Sequence, residues 1–198
     1  MPSTAIETAA AESKPIREAL EMARRAHAGQ TRNGSAGMPY IHHPIAVAEL
    51  LADRGFGDET IAAALLHDVV EDSEVSVGDV EDRFGERVGE LVRSLTDREQ
   101  IEPYERRKAE HRDRVRRAGG DALAIYAADK LSNVRTLRGA YAEQGESVGE
   151  EFNVPLDVKE AVWRGDLEML REAAPDLPFL EDLEAELAAL RETRSGVA

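Results

Sequence analysis

Apolar residues in this chain recur at helical spacing almost from end to end, and the two-residue alternation of a half-buried strand is scarce. That pattern restricts the fold to an all-α domain. "KPIREALEMARRAH" sets Ile16, Leu20, Ala23 and His27 along one stripe. "HPIAVAELLADRG" opens with Pro44, a residue suited to a first helical turn, and stops at Gly55. "DETIAAALLHDVVEDSE" reads as one further helix with Asp58 as its N-cap. "VGDVEDRFGERVGELVRSLTD" places Val80, Phe84, Val88, Leu91 and Leu95 on an amphipathic stripe. The charged helix "YERRKAEHRDRVRRAGG" ends at Gly119 and Gly120, and the more apolar "DALAIYAADKLSNVRTL" follows it. "RGAYAEQGESVGEEFNVP" reads as a loop, and "DVKEAVWRGDLEMLREA" and "PFLEDLEAELAALRETR" as closing helices. The mixed-sign run "ERRKAEHRDRVRR" is expected to be a solvated face carrying an exposed His111. Trp163 is expected to serve packing.

A length of 198 residues suits one domain with a substantial core. The expected organisation is a disordered segment over residues 1–13, a single domain over 14–190 and a disordered tail over 191–198. With no cysteine, the chain has no thiolate ligand and no catalytic thiol, so any metal must be held by His, Asp or Glu. Neither a signal peptide nor a membrane span is evident, which gives a cytoplasmic expectation. The formal charge of −15 argues against nucleic acid or an anionic membrane as partner. It leaves room for a small phosphorylated ligand, which needs only a few local cations or a bound metal ion.

The run "ALLHDVVEDSE" sets His67, Asp68, Glu71 and Asp72 among residues that otherwise read as interior. At roughly 100° per residue, Glu71 falls about 40°, Asp68 about 100° and Asp72 about 140° from His67, so all four share one arc of a helix. Buried carboxylates pair, neutralise or coordinate a cation. Further donors stand elsewhere: "PYIHHP" offers His42 and His43, and "AADKLSN" sets Asp129 in an apolar helix with Asn133 one turn later. Two imidazoles with two carboxylates suit Mn²⁺, Fe²⁺ or Mg²⁺ with water in the open positions.

His43, His67 with Asp68, and Asp129 match the ligand pattern of the HD-domain metal-dependent phosphohydrolases. More narrowly, "AHAGQTRNGSAGMPYIHHPIAVAELL", "AALLHDVVEDSE", "FGERVGELVRSLTD" and "ADKLSNVRTL" resemble, in order, the hydrolase domain of the RelA/SpoT family of alarmone hydrolases. The resemblance spans roughly residues 16 to 140 and implies an HD-domain helical bundle similar to a small, stand-alone alarmone hydrolase.

It further implies that His43, His67, Asp68 and Asp129 hold one divalent cation, generally Mn²⁺, and that Glu71 and Asp72 position or deprotonate the attacking water. Arg32 matches a family Arg that lies against the nucleotide, Asn133 a ligand-orienting Asn, and Thr136 a residue near the base. The implied reaction removes the 3′-pyrophosphate of guanosine tetra- or pentaphosphate (ppGpp or pppGpp), giving GDP or GTP and pyrophosphate. His27 is expected to be structural, and His42 a neighbour of the ligand that precedes Pro44. Asn33 and Tyr126 stand where the family commonly has Lys, and "RNGSAGMPY" is a distinctive loop. Lys130, Arg24, Arg25 and the "ERRK" segment are candidates to supply the missing charge. Two alternatives stay open: an HD phosphohydrolase acting on another nucleotide, such as an NADPH phosphatase, and an inactive nucleotide-binding module.

Overall fold

The computed structural model describes residues 5–35, 37–98 and 100–196. Among them the regular elements are helical: α1 (Ala5–Glu12), α2 (Lys14–Ala26), α3 (His42–Ala52), α4 (Asp58–Leu66), α5 (Val69–Asp72), α6 (Val77–Phe84), α7 (Glu86–Leu95), α8 (Tyr104–Ala118), α9 (Gly120–Gln144), a 3-10 helix (Gly145–Glu151), α10 (Leu156–Ala173) and α11 (Leu180–Ser195). An isolated bridge pairs Thr31 with Pro39 across the loop between α2 and α3. The all-α expectation therefore holds. No helix among the described residues is long and apolar enough to cross a membrane.

α9 is the axis of the bundle, packing against α3, α4, α7, α8, α10 and α11. Ala122, Ala124, Ala127 and Ala128 are buried and let neighbouring helices approach closely, while Leu123, Ile125, Leu131 and Val134 fill the space between them. Each fully buried aliphatic side chain of that size contributes about 1.5–3 kcal/mol. In such surroundings a polar group needs a partner, so Asp129, Lys130 and Asn133 on this helix demand an account. α4 is the second interior helix: Thr60 to Leu66 are all buried, and α2, α3 and α7 cover it.

Several boundaries depart from the sequence expectation. Residues 5–12 of the segment expected to be disordered form α1, with Ile6 and Ala10 buried, and α11 continues to Ser195; residues 1–4 and 197–198 of those two ends lie outside the described residues. Asp58 is not the N-cap of α4; Gly57 is, and the Asp58 carboxylate accepts from the Ser13 hydroxyl at 2.7 Å. The stripe from Val80 to Leu95 belongs to two helices, because Gly85 takes φ 89°, which favours glycine, and redirects the chain. The segment read as a loop continues α9 to Gln144 and then winds as the 3-10 helix.

The most consequential departure is at His67. The expected continuous helix stops at Leu66 and resumes at Val69, with Asp68 as N-cap of the short α5. The amides of Glu71 and Asp72 both donate to the Asp68 carbonyl, at 3.1 and 3.0 Å, so the new turn is anchored on Asp68 itself.

Candidate metal centre

Each candidate ligand is delivered by a different buried element. His43 lies in the first turn of α3, His67 at the end of α4, Asp68 at the start of α5, and Asp129 in the middle of α9. One donor atom from each of His43, His67 and Asp129 falls within 4.8 Å of the others. Asp68 joins them, with Oδ1 3.3 Å from His67 Nε2 and Oδ2 3.6 Å from His43 Nε2. Asp129 Oδ1 is 3.1 Å from His43 Nε2 and 3.8 Å from His67 Nε2. Four residues separated by up to 86 positions (43 to 129) thus converge on one point.

The surroundings fix which atoms face that point. His67 Nδ1 donates to the Ala64 carbonyl at 2.7 Å, and His43 Nδ1 bonds Ser132 Oγ at 3.1 Å. Both rings therefore turn Nε2 inward. His67 Nε2 is buried with no hydrogen-bond partner among the described residues, the state of a nitrogen whose lone pair suits a cation. The Tyr40 hydroxyl donates to Asp68 Oδ2 at 2.7 Å, leaving Oδ1 toward His67, and Lys130 Nζ bonds Asp129 Oδ2 at 2.6 Å, leaving Oδ1 toward both histidines. Asn133 donates to Asp129 Oδ1 and accepts from Arg32 at 2.6 Å. The donor set, its inward aim and the orphaned nitrogen fit a divalent metal ion.

The electrostatics agree. Burial works against charging His67, yet the Asp68 and Asp129 carboxylates overcome it and raise its pKa to about 9, so they draw positive charge to Nε2, which a metal ion would supply in place of a proton. Burial, aided by the Arg32 guanidinium, lowers His43 to about 4, so that ring stays neutral. Burial would raise Asp129, but the Lys130 ammonium and the two imidazoles hold it well below the usual carboxylate range. Glu71 differs: burial and the nearby Asp68 charge raise it to about 8, against the pull of an Asp97 amide that donates to one of its oxygens. Asp72 is raised by burial and by Asp68.

A cavity of about 420 Å³ opens over these groups. Glu71 and Asp72 line it beside the four candidate ligands, and Arg32, Asn33, Tyr126, Lys130 and Asn133 line it as well. A second cavity of about 410 Å³, largely apolar, adjoins it across Arg32 and His43 and is bordered by Met38, Pro39, His42, Ala46, Thr136 and Ala140. The structure thus gathers every residue singled out as ligand, water-handling group or substrate contact around two adjoining spaces.

Other expectations are corrected. His111 is buried, not exposed, and packs edge-on against Tyr126 with ring centroids 5.2 Å apart. The "ERRK" run is not wholly solvated: Arg107 and Lys108 line the main cavity, where Lys108 pairs with Asp97 at 2.6 Å. Arg24 points elsewhere, pairing with Glu7 at 2.9 Å, and neither it nor Arg25 borders either cavity. His27 stacks on Tyr40 at 4.8 Å and bonds Gln30, whose amide holds the Asp72 carbonyl. Trp163 is buried as expected. Sequence reasoning missed Tyr40, Asp97, Ser132 and Lys159. Ser132 carried a usable signal, since it stands one helical turn after Asp129 on the same face.

Comparison with known proteins supports this architecture. A model of the HD domain family matches residues 19–154. The bifunctional (p)ppGpp synthase/hydrolase SpoT of Escherichia coli is 37% identical over 143 residues, covering 70% of this chain and 20% of that protein. The chain thus spans about a fifth of the length of such relatives. The human guanosine-3′,5′-bis(diphosphate) 3′-pyrophosphohydrolase MESH1 is 38% identical over 128 residues, covering 64% of this chain and 71% of that protein. A solved metazoan orthologue of SpoT, described as hydrolysing ppGpp and acting in starvation responses, is 28% identical with a TM-score of 0.70, over 92% of this chain and 96% of that one. On the family match, the shared fold and the converging His and Asp donors, this chain belongs to the HD domain family.

Proposed function

We propose that the protein hydrolyses ppGpp and pppGpp at the 3′ position, returning GDP or GTP and releasing pyrophosphate, with one Mn²⁺ held by His43, His67, Asp68 and Asp129. The observation that carries this reading is the junction of two unlike spaces. Converging imidazole and carboxylate donors lie on one side of Arg32 and His43, and an apolar cavity large enough for a nucleobase lies on the other. The relatives named above are hydrolases of this nucleotide class. Mixed imidazole and carboxylate donors suit Mn²⁺ or Fe²⁺ better than Mg²⁺, which prefers an all-oxygen shell.

When bound, such an ion lowers the pKa of water and neutralises phosphoryl charge. The chain's own residues do the rest. Glu71, which lines the cavity beside the candidate ligands, takes the proton of the attacking water. Water adds to the phosphorus next to O3′, the bond from that phosphorus to O3′ breaks, and O3′ leaves with a proton as pyrophosphate departs. Asp72 orients the water, and Asn133, fixed between Asp129 and Arg32, orients the ribose. Arg32 stacks on the base or pairs with phosphate. Thr136 meets the base at the apolar cavity. Lys108, Arg107 and Lys130 supply the positive charge lost at Asn33 and Tyr126. In this reading the protein works in the cytoplasm on a small nucleotide, without nucleic acid or membrane partners.

The test is a substrate panel. Metal-stripped protein is incubated with and without Mn²⁺ against ppGpp, GTP and NADPH, and products are resolved by ion exchange. Pyrophosphate from ppGpp is expected. Phosphate from NADPH instead would transfer the assignment to a ribose phosphatase, and no product from any of them would favour a binding module.

A further inference from the structure

Lys159, in the first turn of α10, is set among three aromatic rings: Phe152 at 4.4 Å, Trp163 at 5.8 Å and Tyr104 at 6.0 Å from Nζ. Rings at these distances hold an ammonium by its charge without neutralising it. The other lysines of the main cavity are paired, Lys108 with Asp97 and Lys130 with Asp129, both at 2.6 Å. Lys159 has no carboxylate and no hydrogen-bond acceptor among the described residues. Its side chain lines the main cavity and also a narrow crevice bordered by Arg32, Asn33, Asn133 and Thr136. Burial and the charges of Lys108, Lys130, Arg32 and Arg107 lower its pKa to about 8. A cation held by rings and facing other cations is poised for an anion.

The substrate reading leaves one group without a place. The 3′-pyrophosphate belongs at the metal ligands and the base in the apolar cavity, so the 5′ phosphates need a third location. The crevice beside Asn133 shares Arg32 with both spaces and Lys159 with the main cavity.

We propose that Lys159, displayed by Phe152, Trp163 and Tyr104, binds the phosphates of the substrate that are not cleaved, and so selects a nucleotide phosphorylated at both ends. The proposal rests on the ppGpp reading of the site. It adds a selectivity residue on α10 that compensates for Asn33 and Tyr126.

The test compares GDP with guanosine, which differ only in the 5′ phosphates, by calorimetric titration of the wild type, Lys159→Met and Lys159→Arg. The wild type should bind GDP more tightly than guanosine. Lys159→Met should weaken GDP about tenfold or more while leaving guanosine unchanged, as for a charged hydrogen bond. Lys159→Arg should recover most of the loss. In turnover of ppGpp, Lys159→Met should raise KM with little change in kcat. Equal losses for GDP and guanosine would assign Lys159 to cavity shape, and equal wild-type affinities would remove the 5′ site; either result overturns the proposal. Failure of the wild type to release pyrophosphate would instead overturn the substrate reading, and the GDP and guanosine titrations would still decide the role of Lys159.

Discussion

His67 and Asp129 sit on helices whose neighbours are buried alanines and leucines, whereas Arg32 and Lys159 reach the same cavity from a loop and from the first turn of α10. At the metal end each candidate ligand is held by at least one fixed partner: Ser132 holds His43, Ala64 holds His67, Tyr40 holds Asp68, and Lys130 and Asn133 hold Asp129. At the other end the contacts are rings, a glycine turn and a lysine with no acceptor. The first arrangement suits chemistry that tolerates little displacement. The second suits recognition, where a few residues can change without disturbing the reaction. Substitutions at the metal end should therefore act on metal binding and kcat, and those at the other end on KM.

The largest effect is expected at Asp68. Asp68→Ala removes a carboxylate that reaches both imidazoles, and both Mn²⁺ binding by calorimetry and turnover should be lost. Glu71→Gln should keep the metal and lower kcat by about 10²–10⁴-fold, the usual worth of a general base; unchanged turnover would remove Glu71 from the mechanism.

At the recognition end, pH gives the next effect. Lys159 titrates near 8 in the free protein, and a bound phosphate favours its charged form. Nucleotide binding then takes up a proton above that pH, so KM for ppGpp should rise by up to about tenfold per pH unit above about pH 8. In Lys159→Arg the rise should flatten. Gly34→Ala comes next. Gly34 has φ +70°, and an added Cβ would lie 2.7 Å from Phe152 Cζ. The backbone strain costs about 1–2 kcal/mol, and displacement of Phe152 from Lys159 should raise KM severalfold with kcat nearly intact.

The smallest effect lies between the two ends. Burial, with the Lys130 and Lys108 charges, lowers His111 to about 3, so the folded protein keeps it neutral where the unfolded chain binds a proton. Stability should then fall as pH drops below roughly 6.5, by at most about 1.4 kcal/mol per pH unit from this group. His111→Gln should remove that component in chemical denaturation at pH 5 and 7.

The same contrast decides what could be read from the sequence. His67 and Asp129 stood out because helical periodicity made their surroundings apolar, so an ionisable group there required a purpose. The four candidate ligands converge even though the helix between Leu66 and Val69 breaks, a break that turns on hydrogen bonds to Asp68 that periodicity does not encode. His111 was misjudged because a run of mixed charges hides which of its residues face inward; only the packing of α8 on α9 and α7 reveals it. Lys159 carried no signal at all. Its significance comes from Phe152, seven positions earlier (159 − 152) on an irregular segment, and from cations on distant helices. Tyr40 was likewise silent until the Thr31–Pro39 bridge and the bond from its amide to Gln30 placed it over Asp68.

The most direct measurement is a titration of Mn²⁺ into metal-stripped protein with ppGpp present, following GDP and pyrophosphate together by ion exchange. The account predicts no product without metal, equimolar GDP and pyrophosphate with it, and a rate that saturates at one equivalent of Mn²⁺. Orthophosphate in place of pyrophosphate, or product formation indifferent to the metal, would contradict it.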